Sequence, residues 1–265
     1  MLRGIPPRPQ LSMKMNLEIH RIPMGFFTNA YLIRSDEGTL LVDAGYPGHE
    51  HHFCRYIRRL GRDAVEPKLI VATHGHADHV GCLHSLKKQT GAKVAIHQAD
   101  AHLVRRGTVV IPPAVTLWGR FLFILFRVLR FLGRFEPIEP DIVIEREFSL
   151  REFRIPGRLV PTPGHTPGSV SVVLESGEAF VGDLAVNSWP LKMGLGIPSL
   201  AEDIHQIYAS WEKILLAGAT VIYPAHGKPF PAERLKEQLS GIRDQRSGIA
   251  CQSGFDESED AGDSG

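Results

Sequence analysis

The chain of 265 residues is 43% hydrophobic and 22% charged, with 30 Lys and Arg against 29 Asp and Glu. This composition excludes a disordered or collagen-like chain and supplies enough apolar material for one α/β core with an insertion. The near-neutral balance provides no overall field for a polyanion, so no nucleic-acid partner is expected.

Residues 1–16 read as a loose lead-in, because Pro6, Pro7 and Pro9 interrupt the unbroken apolar stretch that a signal peptide needs. From residue 17, short apolar runs bounded by turn residues predict strands at 17–19, 30–33, 39–42, 69–72 and 94–96, and again at 170–174, 179–181 and 221–223. Helical patterns occupy 51–60, 80–90, 200–216 and 231–246. Ser199 and Glu202 have the spacing of a capping box before the third of these helices, and Pro231 suits the first turn of the fourth. Strands in succession, followed by strands alternating with helices, predict a mixed sheet covered by helices within one domain over 17–247. Residues 248–265 carry Asp256, Glu257, Glu259, Asp260 and Asp263 and read as an acidic disordered tail.

One stretch departs from this pattern. Residues 114–133, AVTLWGRFLFILFRVLRFLG, lie in a helical insertion at about 100–140 and form an amphipathic basic helix. At about 100° per residue, Arg120, Arg127, Arg130 and Arg134 fall within an arc of roughly 80°, and most apolar side chains take the rest. Its longest uncharged run within that pattern, Phe121 to Phe126, is far short of the ~20 residues that cross a bilayer. Three placements suit it: packed on the core, roofing an apolar substrate pocket, or making a peripheral membrane or dimer contact through residues 117–134.

Three cysteines, Cys54, Cys82 and Cys251, are far apart and form no CxxC pair, so a reducing cytoplasm is expected and Cys82 reads as a small buried hydrophobe. Histidine is the surplus residue, 13 in all. Thr73-His74-Gly75-His76-Ala77-Asp78-His79 follows an apolar run, and the small Gly75 and Ala77 let an extended loop turn His74 and His76 to one side. Asp78 and His79 then stand where a helix starts, aimed at a neighbouring locus. His165 in Pro163-Gly164-His165-Thr166-Pro167-Gly168, Asp183 after Phe180-Val181-Gly182, and His226 in Pro224-Ala225-His226-Gly227 sit equally in loops after strands, where a rigid sheet presents ligands. Five histidines and two aspartates are the N/O mixture that suits zinc or a similar divalent ion. His49, His51 and His52 lack such carboxylate partners and read as a solvated helix start, while Trp189, Lys192 and Lys228 are candidates for the edge of the cleft.

HxHxDH followed by a later His, Asp and His resembles the metallo-β-lactamase superfamily over roughly residues 17–230. The resemblance implies an α/β fold, the four-layer αββα sandwich, here with an inserted amphipathic helix, and a site at one edge of two packed sheets. It implies two divalent metal ions, zinc first with iron, manganese or nickel as alternatives. His74, His76 and His165 resemble the ligands of one ion, Asp78, His79 and His226 those of the other, and Asp183 would bridge both. Asp43, after an apolar run at a strand end, would orient a ligand histidine rather than bind metal. The implied chemistry is hydrolysis by a hydroxide held between the ions, with Asp78 as the catalytic residue relaying the proton to the leaving group.

Departures narrow the branch to one that is glyoxalase II-like or lactonase-like. True β-lactamases have cysteine where Asp183 stands, and flavodiiron-type members replace the motif's second histidine, retained here as His76. Glyoxalase II proper adds a helical carboxy-terminal domain, whereas 39 residues follow His226. Related lactonases have tyrosine where this chain has Val186. The expected substrate is a small molecule with an ester, lactone or thioester bond and an apolar acyl group. The alternatives are a phosphodiesterase of the same fold and, in another class, a metal-loaded lipid-surface or scaffold protein.

Overall fold

A computed structural model describes residues 16–25, 27–61, 66–188 and 196–253, with the backbone alone at 130, 132 and 244–253. The first sheet has the order β1 (Glu18–Pro23), β2 (Asn29–Arg34), β3 (Thr39–Val42), β4 (Leu69–Val71), β5 (Lys93–His97) and β6 (Ile142–Ile144). β1 to β3 form an antiparallel meander, and β3 to β6 run parallel. Parallel neighbours need long crossovers. These are supplied by α1 (Glu50–Leu60), by α2 (Ala77–Val80) with α3 (Leu83–Thr90), and by α4 (Gln98–Arg106) with α5 (Leu117–Leu129). The second sheet has the order β12 (Phe230–Pro231), β11 (Val221–Pro224), β10 (Glu178–Gly182), β9 (Val170–Leu174), β8 (Gly157–Pro161) and β7 (Phe148–Ser149), in which only the pair β10 and β11 is parallel. α6 (Ile204–Leu216) and α7 (Glu233–Ser253) belong to its outer face.

The strands of the first sheet are apolar on both faces because both are covered. Leu32, Leu41, Ile70, Val94 and Ile96 pack outward with Phe53, Leu83 and Val104, while Tyr31, Ile33, Leu40, Val42 and Val71 face Val170, Val172 and Phe180 of the second sheet. A third cluster joins Val173, Val181 and Ile222 to Ile207, Trp211 and Leu235. Three apolar layers between four layers of elements give the αββα sandwich expected above. Two sheets, rather than one, carry the strands.

Several elements differ from the expectation. The 80–90 pattern is two helices, broken at Gly81–Cys82, and α4, β6, β7 and β8 were not marked by periodicity. β6 and β7 span three and two residues, too few for an alternation to register. α6 begins at Ile204, and its cap is Asp203, whose carboxylate accepts from the His205 and Gln206 amides. The Ser199–Glu202 box is therefore not its start. α7 runs on to Ser253, past Arg246 and into the expected tail; residues 254–265 and 1–15 lie outside the described residues, as do Trp189 and Lys192. No described helix is long and apolar enough to cross a membrane.

Candidate metal centre

Every expected ligand, and with them Asp43, lies just beyond a strand at one edge of the sandwich. Asp43 follows β3, His74 to His79 follow β4, His165 follows β8, Asp183 follows β10 and His226 follows β11. Sheet geometry thus converges loops that are distant in sequence on one point.

The structure brings the seven together. One potential metal-holding trio is His74, His76 and His165, a second is Asp78, His79 and His226, and a third is His74, His79 and Asp183; in each the ligand atoms lie within 4.8 Å of one another. Asp183 stands between the first two trios: its Oδ2 is 3.5 Å from His165 Nε2, and its Oδ1 is 3.2 Å from His226 Nε2 and 3.5 Å from His79 Nε2. All five histidines are buried.

At His74, His79, His165 and His226 the Nδ1 atom is occupied, which fixes the orientation of these four imidazoles. His79 Nδ1 donates to Asp43 Oδ2 at 2.9 Å, His165 Nδ1 to the Leu200 carbonyl at 3.0 Å and His226 Nδ1 to the Phe27 carbonyl at 3.0 Å. His74 Nδ1 reaches Thr73 Oγ1 at 3.1 Å, and that hydroxyl donates in turn to Asp43. Asp43 therefore touches His79 directly and His74 through Thr73. Nε2 of His74 and Nε2 of His79, both buried, have no hydrogen-bond partner, and His76 Nδ1 meets His165 Nε2 at 3.0 Å. Buried polar atoms without partners are costly, and these are the kinds of atom that bind zinc, so the residues fit divalent metal.

The protonation tendencies agree with that fit. Burial, reinforced by neighbouring imidazoles, holds His74 well below its ordinary value and His76 at about 3, leaving neutral rings with free lone pairs. His165 is also lowered, chiefly by burial. At His79 and His226 burial is outweighed by the Asp78 and Asp183 carboxylates, with Asp43 adding to them at His79, which is raised to about 9. In the same exchange Asp78 and Asp183 are held below the usual carboxylate range by these imidazoles, against the desolvation that would raise them. Positive charge is thus favoured where the second trio converges.

Sequence reasoning missed Asp100. Its Oδ2 accepts from the Gly75 amide and from Thr166 Oγ1, both at 2.8 Å, and its Oδ1 from the Gly168 amide at 3.0 Å. This one buried carboxylate ties the His74–His76 loop to the His165 loop. A Cβ on Gly168 would lie 2.3 Å from Asp100 Oδ1, and one on Gly75 would lie 2.6 Å from Leu103, so the glycines serve close packing as much as chain direction. The available signal was a carboxylate on the apolar face of a helix, beside Ala101 and Val104. Asn29, also missed, donates to the Ala225 and Gly227 carbonyls on either side of His226.

The site forms the floor of a cleft of about 410 Å³. His76, Asp78, His165, Asp183 and His226 line the bottom, and Phe27, Val110, Leu122, Leu125, Phe126 and Leu129 line much of the walls. Val186 also lines it and is buried. Tyr46 is the one tyrosine among the described lining residues. Lys228 is exposed and outside that lining. His49, His51 and His52 lie against one another at the start of α1 and belong to none of the potential metal trios among the described residues. Cys82 donates to the Tyr46 carbonyl, and burial pushes its thiol up to about 12, far from reactive.

Comparison with known proteins agrees with this architecture. The chain is 28% identical over 168 residues to the Bacillus subtilis (strain 168) protein named Probable metallo-hydrolase YqgX, covering 61% of this chain and 67% of that one. It is 30% identical over 153 residues to a hydroxyacylglutathione hydrolase of Anaeromyxobacter dehalogenans (strain 2CP-C), covering 58% of this chain but 44% of that protein. Among solved structures, ST1585 of Sulfolobus tokodaii, described as an archaeal metallo-beta-lactamase superfamily protein, superposes with a TM-score of 0.60 at 24% identity, over 84% of this chain and 85% of that one. Residues 23–226 match the sequence profile of the Metallo-beta-lactamase superfamily, and the chain belongs to that superfamily.

Proposed function

We propose that the protein is a metal-dependent hydrolase that cleaves an ester, lactone or thioester bearing an apolar acyl group. The observation that carries the reading is the cleft itself, with apolar walls that descend onto a floor of His76, Asp78, His165, Asp183 and His226. Two divalent ions, zinc in the first instance, would be held by His74, His76 and His165 and by Asp78, His79 and His226, with Asp183 between them; when bound they would supply an activated water and polarise the scissile carbonyl.

The chain's own residues supply the rest. Asp43 and the Leu200 and Phe27 carbonyls hold His79, His165 and His226 in orientation, so little reorganisation is required during reaction. Asp78 is the least buried of the seven, with about 29% of its side chain exposed to the cleft, and is placed to pass a proton to the leaving group. Val186 offers no donor at the position where related lactonases carry tyrosine. Tyr46 lines the same cleft from the loop after β3 and is the phenol available to replace it. The hydroxyacylglutathione hydrolase among the relatives favours a thioester, and the apolar walls favour an acyl chain over a charged phosphodiester.

The test is a substrate panel on the zinc-loaded protein. For p-nitrophenyl esters and acyl thioesters of increasing length, kcat/KM should rise by up to roughly fourfold per methylene until the cleft is filled. Bis-p-nitrophenyl phosphate should react far more slowly. His76→Ala and Asp183→Asn should each abolish turnover. Preferential phosphodiester cleavage would favour the alternative activity, and normal turnover by either variant at normal metal content would sink the reading.

A further inference from the structure

α5 has two apolar faces. Leu122 is buried, and Leu125, Phe126 and Leu129 turn to the cleft. On an adjoining arc turned away from the cleft, Leu117, Phe121, Ile124 and Val128 are 79%, 55%, 63% and 67% exposed. At about 100° per residue these four fall within an arc of roughly 60°, a continuous outward stripe rather than scattered surface residues. Arg120 and Arg127, both exposed, run along one flank of it, and α5 contains no carboxylate. By contrast α1 buries Phe53 and exposes Arg55 and Arg59, the ordinary arrangement for a helix on a core.

We propose that α5 seats on an anionic lipid surface, with its outward stripe in the headgroup boundary and its arginines on lipid phosphates. Thirteen residues of helix extend about 20 Å, short of a bilayer's hydrocarbon thickness, so the helix lies in the surface. Charge decides between lipid and a second copy of the chain. Laid stripe to stripe, a second α5 brings no counter-charge to Arg120 and Arg127, whereas lipid phosphates do. The cleft gives the contact its use. Leu125 and Leu129, 39% and 38% exposed, border both faces of the helix, so apolar surface continues from the stripe into the cleft. An acyl chain can pass from the lipid to the metal-site floor along side chains rather than through water.

Vesicle flotation of the full chain tests this without reference to turnover. The protein should float with phosphatidylcholine vesicles containing about 30% phosphatidylglycerol and much less with phosphatidylcholine alone. The triple substitution F121S/I124S/V128S should lower partitioning by at least roughly 50-fold. R120Q/R127Q should lower it roughly 30-fold and weaken its salt dependence. These side chains are exposed, so the thermal midpoints should match the parent and a loss of binding would not reflect unfolding. Equal flotation of the triple variant, or no flotation of the parent with either vesicle, overturns the proposal. So does a dimer in light scattering that the triple variant dissolves while vesicle binding is absent.

Discussion

Asp43 holds φ 62°, a left-handed backbone that a non-glycine residue adopts at some cost and that persists where surrounding structure requires it. The requirement is visible in its contacts. Its carboxylate takes the Thr73 amide at 2.8 Å, the Thr73 hydroxyl and His79 Nδ1, so one strained residue orients two imidazoles. Asp100 makes no hydrogen bond to a candidate ligand imidazole among the described residues and joins loops instead. The two aspartates should therefore separate on substitution. Asp43→Asn is expected to weaken zinc binding by about 10- to 100-fold, measured by competition with a chromogenic chelator. Asp100→Ala leaves the buried Gly75 and Gly168 amides without an acceptor and should cost roughly 2 kcal/mol or more in denaturant unfolding. Equal losses of affinity and stability in both variants would contradict this division.

At the scale of elements, the ligand loops owe their placement to what anchors the segments beside them. α6 starts at Asp203, which caps the His205 and Gln206 amides, while the Asp203 amide donates to the Gly164 carbonyl and the Glu202 amide to the His165 carbonyl. The start of α6 is thus tied by backbone to the His165 loop. Asp203→Ala should cost about 1 kcal/mol of stability and fray that end, seen as faster amide exchange at His205 and Gln206. Unchanged exchange would place the anchor elsewhere. The motif aspartates and histidines were legible because residue type and spacing alone mark them. The capping box at Ser199 misled because its spacing matches, whereas Ser199 is buried and its carbonyl bonds the Val115 amide ahead of α5.

For the whole molecule, the candidate metal centre governs how stability depends on pH. In the metal-free protein, His79 is raised from its ordinary 6.5 to about 9, so its proton favours the folded state below 6.5 and that contribution is lost as pH rises toward 9. His76 is lowered from 6.5 to about 3, so the unfolded chain takes its proton first and stability also falls as pH drops from 6.5 toward 3. Asp78 and Asp183, held below their ordinary value, add stability above about pH 4 that is lost on further acidification. Metal-free protein should therefore melt highest near pH 6.5. Divalent metal replaces the protons on His79 and His226, so the gain in melting temperature on adding zinc should increase from pH 6 to pH 9. Calorimetry in chelator and in zinc measures both curves, and a metal-free midpoint that climbs steadily to pH 9 would contradict this account.

The sequence by itself determined the candidate ligand set, the paired apolar strands and the amphipathic character of 114–133, because each is written in residue type and short-range period. Tertiary structure decided what those signals are used for. Asn29 reaches the Ala225 carbonyl across 196 positions and Asp100 reaches the Gly168 amide across 68, contacts that no local pattern encodes. The direction of α5 is the plainest case. Its apolar residues cover most of its circumference, so periodicity could not say which would meet protein; docking beside the cleft buried Leu122 and left Phe121, Ile124 and Val128 facing outward.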